Sequence, residues 1–413
     1  MDTIHELFLE AVSAAVRGGS VSWDQEIPQE KWYTLLHMAA EHQILPLFFE
    51  AVYTCPAFSS AGENLTGSVR QSVRHQVIEQ ASRTTRFLRL YSDLQQAGAD
   101  PLVVKGIVCR ELYPAPDQRP SGDEDVFISP SEYALCKEVF LSKGLVVADV
   151  QAEADNAYEI PFRKPGSSLH IELHKSLFSQ ESDAYGDLNR FFENAHSRAS
   201  TIIIMGVPIR TLNPTDHLFY LICHAFKHFL HSGFGIRQVC DIMLFADTYG
   251  KEIQWDLVLK NCQAIRADRF AAALFRIGEQ YLAFDRSKSC MTFQWTQIPV
   301  DPQPLLTDLL SAGTYGKSSS SRLHSSTITL DAVAAQKQGR KKRGLSAALF
   351  PPAESLKNRY TYLIDHPWLL PAAWASRILK YGFKQTSSDT DVSESLKIGN
   401  QRIDLMKEYG IID

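Results

Sequence analysis

The sequence has no C-x-x-C pair. Its seven cysteines, at 55, 109, 136, 223, 240, 262 and 290, are scattered and odd in number. That argues against a disulfide framework or a zinc-ribbon site and fits a reducing compartment. No apolar run approaches the roughly 18 residues that cross a bilayer. The opening stretch MDTIHELFLEAVSAA carries an early Asp and Glu and no basic segment ahead of an apolar one. No secretory signal is expected, and the protein reads as cytoplasmic. An excess of charge of one sign is missing too. The 42 Lys and Arg stand against 47 Asp and Glu, a net charge of −5, so no nucleic acid and no membrane surface is expected as partner. No internal repeat is visible.

What is present is an ordinary soluble composition, 45% hydrophobic and 22% charged over 413 residues, enough for two or three domains. Residues 1–98 read as helical, with Ile4, Leu7, Phe8, Ala11 and Val12 at helical spacing and a long amphipathic stretch at 66–97 that stops at Gly98. Residues 99–212 read as an α/β core. Residues 213–313 return to helix, opened by Asn213-Pro214-Thr215-Asp216. Residues 314–344 read as a flexible linker, with serines at 318–321 and the basic run 340–343, a candidate clamp for a phosphate-bearing substrate or a plain solvated loop. Residues 345–413 form a C-terminal helical region.

The chemistry concentrates in 102–128. An apolar run, Leu102 to Val104, is broken by Lys105-Gly106, and a turn-rich segment leads to Asp123-Glu124-Asp125 at the mouth of a second strand. Side chains alternate along a strand, so Asp123 and Asp125 share a face and Glu124 takes the other. Two carboxylates that close repel unless a cation lies between them. The Gly106 turn offers backbone N–H groups to phosphate oxygens. A third carboxylate comes from Ser168–His174, where Leu169, Ile171 and Leu173 alternate with His170, Glu172 and His174. Asp123, Asp125 and Glu172 together suit a Mg²⁺ or Mn²⁺ site for phosphoryl chemistry. Lys105 and Arg119 suit phosphate binding. His217, His224, His228 and His231 fall on one helix face. His224 and His228 are read as lining the nucleotide or acceptor pocket, with a metal pair or a packed face as the other readings. Arg237 and Asp241, four apart, are expected to pair.

These motifs resemble the uncharacterised nucleotidyltransferases of the polymerase-β-like superfamily. The resemblance rests on Val104-Lys105-Gly106, Tyr113-Pro114, Arg119 and Asp123-Glu124-Asp125. It continues in Glu172-Leu173-His174, His224 with His228, Arg237 with Asp241, and the tail FPPAESLKNRYTYLIDHPWLLPAAWASR. It implies an α+β fold, a small polymerase-β-like mixed sheet flanked by large N- and C-terminal helical regions. It implies transfer of a nucleoside monophosphate from an NTP to a hydroxyl or phosphate of a small-molecule or peptide acceptor, with release of pyrophosphate. Some relatives of this type accompany peptide natural-product tailoring, so the resemblance includes a modified peptide among the expected acceptors. In these terms Asp123 and Asp125 hold the metals and Glu172 assists deprotonation of the acceptor. The double alanine variant at Asp123 and Asp125 is expected to lose transfer and keep its fold. Two other readings stay open. D-x-D also serves glycosyl transfer from sugar nucleotides, and a non-catalytic nucleotide-binding partner would bind NTP without turnover.

Overall fold

A computed structural model describes residues 2–149, 157–312, 320–339, 353–356, 360–383 and 392–413. Five helices come first: α1 (Thr3–Val16), α2 (Gln29–Glu41), α3 (Leu45–Val52), α4 (Pro56–Ser59) and α5 (Glu63–Gln96). Pro46 sits in the first turn of α3, where its missing N–H costs no hydrogen bond. Helix α5 ends where Gly98 takes φ +88°, open to glycine at little cost.

The sheet region follows: β1 (Leu102–Val104), α6 (Gly106–Arg110), β2 (Glu124–Phe127), α7 (Tyr133–Ser142), β3 (Val146–Val147), β4 (Glu159–Arg163) and β5 (His170–His174). A hairpin, β6 (Ser200–Ile204) and β7 (Val207–Thr211), closes it. The five-stranded sheet has the order β1-β2-β5-β4-β3, and only β2 and β5 run parallel. The fold is α+β, with a mixed sheet between helical regions.

One pairing decides where the chemistry lies. In the β2–β5 register Asp125 faces Glu172 and Val126 faces Leu173. The alternation then sorts the two strands. Val126, Ile171 and Leu173 go to a core shared with Phe87 and Tyr91 of α5 and Phe140 of α7. Asp125, Glu172 and His174 take the opposite face.

Across that face lie α8 (Pro214–His231) and α9 (Ile236–Tyr249), followed by α10 (Trp255–Ala264) and α11 (Asp268–Tyr281). Asn213 caps α8, its side-chain oxygen accepting from the N–H groups of Thr215 and Asp216. These helices share one apolar core with the N-terminal ones, Phe8 and Phe48 joining Phe229 and Phe270. Helices from both sides of the sheet region in sequence therefore meet over one face of the sheet.

The expected linker is corrected in its middle. Residues Ser320–Lys337 form an 18-residue helix. Ile328, Ala332, Val333 and Ala335 are buried, and the Thr329 hydroxyl donates to the Leu230 carbonyl of α8. The serine run disguised an apolar stripe. The basic run 340–343 lies outside the described residues.

Candidate active site

Helix α6 is one turn and a half long, and its entry is unusual. Lys105 adopts φ +55° and Gly106 φ +30°. A lysine in that region is strained by about 1 kcal/mol. Its backbone is pinned from α8: the Lys105 N–H donates to His217 Nε2 at 3.3 Å. The Thr211 hydroxyl donates to the Val103 carbonyl at 2.7 Å, so its oxygen accepts from His217 Nδ1–H at 3.2 Å. That chain of donors leaves His217 Nε2 as the acceptor, the tautomer the turn needs. His217 is thus a buried support for the Lys105-Gly106 turn, not part of an open face.

Buried neutral histidines make the fold sensitive to acid. Burial lowers His217 to about 3 and His42 to about 4. His42 Nδ1 accepts from the Ile236 N–H at the start of α9, which keeps that ring neutral. In the unfolded chain both titrate near 6.5, so their contribution is whole above pH 6.5 and is lost as pH falls toward 4 and 3. At pH 5 each should cost about 2 kcal/mol. Urea unfolding at pH 7 and pH 5 should show this drop, and His42→Gln should remove its share. A pH-independent midpoint would contradict it.

Glu124 explains why residue 106 is glycine. Its carboxylate is fully buried, accepts the Ile107 N–H at 2.8 Å and pairs with Arg110, also buried. A Cβ at residue 106 would lie 2.2 Å from Glu124 Oε2. The middle residue of D-x-D therefore holds the Lys105-Gly106 turn in place.

The face that carries Asp125 and Glu172 is crowded with its own cations. Lys105 Nζ donates to Asp125 Oδ1 at 2.8 Å and to His224 Nε2 at 3.0 Å. His174 Nε2 lies 3.1 Å from the same Asp125 oxygen and 3.6 Å from Glu172 Oε2. Burial opposes a charge on Asp125, but Lys105 and His174 outweigh it and hold the carboxyl well below the usual range. Burial alone would also lower His174, yet its contacts with Asp125 and Glu172 push it up to about 9. Asp123 goes the other way. Burial, and then repulsion from Asp125, raise it above its ordinary value.

Ligand atoms of Asp125, Glu172 and His174 lie within 4.8 Å of one another. Two carboxylates and an imidazole suit a divalent cation, with His174 Nε2 as the ring nitrogen beside Asp125 and Glu172 and Nδ1 turned toward Glu159 at 3.8 Å. Asp123 lines the same cavity but stands outside that group of three. The sequence put His174 on the face of Glu172; its contact with Asp125 needed the parallel register.

The cavity over this face encloses about 340 Å³ and is lined by both strands and by α8 and α9. Asp123, Asp125, Glu172, Lys105, His224 and His228 all border it. A side chamber of about 50 Å³ adds Gly106, Arg119 and Ser121. His228 Nε2 lies 3.1 Å from His224 Nε2. Burial, joined by Lys105 for His224 and by Lys227 for His228, keeps both imidazoles well below their ordinary range. His231 meets the Tyr185 hydroxyl at 3.0 Å on the same wall.

Arg119 and Asp241 overturn one expected pairing. Asp241 does not pair with Arg237. Arg119 grips it through Nε at 2.8 Å and Nη2 at 2.5 Å, and the Tyr113 hydroxyl donates to it at 2.8 Å. A planar fork on a buried carboxylate outweighs a local i,i+4 contact. This pair ties the 113–119 segment to α9, and only Arg119 Nη1 is left without a partner among the described residues. Arg119→Met leaves Asp241 buried with a single donor, so urea unfolding should register a loss of about 3–5 kcal/mol. Adding Asp241→Leu should restore most of it.

A mixed sheet with D-x-D at one strand, an acidic residue in register beside it and a Lys-Gly turn at its edge is the arrangement the nucleotidyltransferase resemblance implies. The family described as uncharacterised nucleotidyltransferase matches residues 28–283, and the chain belongs to it. It is a transferase of nucleotidyl groups. None of the curated proteins compared with the chain matches it. Among the described residues no helix is long and apolar enough to cross a membrane.

Proposed function

We propose that the protein transfers a nucleoside monophosphate from an NTP to a hydroxyl of a small-molecule or peptide acceptor, with release of pyrophosphate. The observation that carries this reading is the convergence of Asp125, Glu172 and His174 in the cavity bordered by Lys105 and Asp123. These three residues would hold a divalent cation, and Asp123 would contribute from the cavity wall. The imidazole favours Mn²⁺ alongside Mg²⁺. When bound, the cation neutralises charge on the phosphates.

The remaining roles fall to the chain itself. His217 takes the Lys105 N–H and Glu124 the Ile107 N–H, so the turn keeps its shape and the Gly106 N–H between them is the one it offers to a phosphate oxygen. Lys105 leaves Asp125 for the incoming triphosphate and keeps its charge close to that carboxylate. Glu172, half-buried at the cavity edge, takes the proton of the acceptor hydroxyl. The freed oxygen attacks the α-phosphorus. The bond from that phosphorus to the β-phosphate oxygen breaks, and pyrophosphate leaves. His224 and His228 line the wall as neutral groups.

The test uses each of the common NTPs with Mg²⁺ or Mn²⁺ and a set of hydroxyl-bearing small molecules and peptides. Pyrophosphate release together with an acceptor heavier by one nucleoside monophosphate supports the reading. An acceptor heavier by a bare hexose supports glycosyl transfer instead. NTP bound without turnover on any acceptor supports a non-catalytic partner.

A further inference from the structure

Arg237, in the first turn of α9, borders both the main cavity and the side chamber beneath Gly106. Its helix neighbour Asp241 is taken by Arg119 and Tyr113. Among the described residues its one hydrogen bond runs from Nη1 to the Pro120 carbonyl, and its Nε is buried with no partner. No carboxylate lies within ion-pair distance of it among the described residues. Other buried arginines are provided for: Arg110 has Glu124, and Arg322 has Asp308. Arg402 lacks a carboxylate but covers the Phe229 ring, and it borders neither chamber.

A buried cation with no counter-ion is costly. Burial, and then the nearby Arg119, work against its charge, and the more distant carboxylates of Asp241 and Asp123 offset only part of this. With Nη1 held by Pro120, the Nε–Nη2 edge is left for a ligand. That edge matches two oxygens of one phosphate group. Arg237 lines a chamber shared with Lys105, Gly106 and Asp123.

We propose that Arg237 binds the pyrophosphate end of the donor triphosphate, from the α9 side of the cavity. This rests on the nucleotidyl-transfer reading. The β- and γ-phosphates lie between Arg237 and the Lys105–Gly106 turn, and the residue retains the leaving group until transfer is complete. Arg237 thus selects a triphosphate over a monophosphate.

The experiment is calorimetric titration of the full chain, with Mn²⁺, by inorganic pyrophosphate, ATP and AMP. Arg237→Met should weaken pyrophosphate and ATP by about tenfold or more and leave AMP within about twofold. Arg237→Lys should fall between. Arg237→Met should also melt at or above the wild-type temperature, because it removes a buried charge that burial and Arg119 oppose more than Asp241 and Asp123 support. Wild-type affinity for pyrophosphate in Arg237→Met overturns the assignment, as does a large drop in its melting temperature. If the wild-type chain binds neither ATP nor pyrophosphate, the nucleotidyl-transfer reading itself falls, and Arg237's role falls with it.

Discussion

Replacing Asp123 by asparagine should cut nucleotidyl transfer by on the order of a hundred- to a thousandfold and leave the melting temperature unchanged or higher. Burial and repulsion from Asp125 raise the Asp123 carboxyl, so its charge weakens the metal-free fold. Removing that charge relieves the repulsion. Asp125→Asn should lose as much activity and also lose stability. Its carboxylate answers Lys105 at 2.8 Å and His174 at 3.1 Å, and its loss takes from both buried cations their nearest carboxylate, leaving His174 with Glu172 at 3.6 Å and Lys105 with the neutral His224. A cost of about 3–5 kcal/mol follows. Two residues of one motif should thus part in stability while failing together in catalysis. The expectation that a double alanine variant keeps its fold does not survive these contacts. Thermal melting beside a pyrophosphate-release assay reads both quantities, and an active Asp123→Asn enzyme would remove that residue from the chemistry.

Gly106→Ala should unfold the active-site edge. The added methyl would sit 2.2 Å from Glu124 Oε2 and 3.2 Å from Glu124 Cδ. Glu124 cannot step aside cheaply. It is fully buried, pairs with Arg110 and accepts the Ile107 N–H, and Arg110 in turn donates to the Ser121 hydroxyl. Moving it breaks a buried ion pair, at about 3–5 kcal/mol. The positive φ adds strain of about 1 kcal/mol for any other residue. Urea unfolding should show a loss of that size, and the folded fraction should bind triphosphate more weakly. Wild-type stability in this variant would mean that Glu124 is free to move.

Much of the site could be read from the residues because its signals are local. The Lys105-Gly106 turn, the Asp123 and Asp125 parity and the alternation of Leu169 to His174 all follow from strand geometry within a few residues. What stayed hidden depends on partners far along the chain. That Asp125 stands beside Glu172 follows from a parallel pairing between strands more than 40 residues apart. His174 was visible on its strand, but its contact with Asp125 was not. Helix spacing suggested that Asp241 would take Arg237. Arg119, held in a loop 122 residues away, makes the better fork. For the same reason Arg237, which looked like half of a salt bridge, borders the cavity with a carbonyl, that of Pro120, as its hydrogen-bond partner among the described residues. The helix Ser320–Lys337 was masked by serines whose apolar neighbours recur at helical spacing.

The central claim is that Asp125, Glu172 and His174 form a divalent-cation site. It is tested most directly by titrating Mn²⁺ into the wild-type chain and Glu172→Gln, with a non-hydrolysable ATP analogue present, and following free Mn²⁺ by electron paramagnetic resonance. Glu172 is only half-buried, so its glutamine variant should fold normally. The account predicts saturable Mn²⁺ binding by the wild type and an affinity about tenfold or more weaker in Glu172→Gln. Equal Mn²⁺ binding by the two proteins, or none by the wild type, would contradict it.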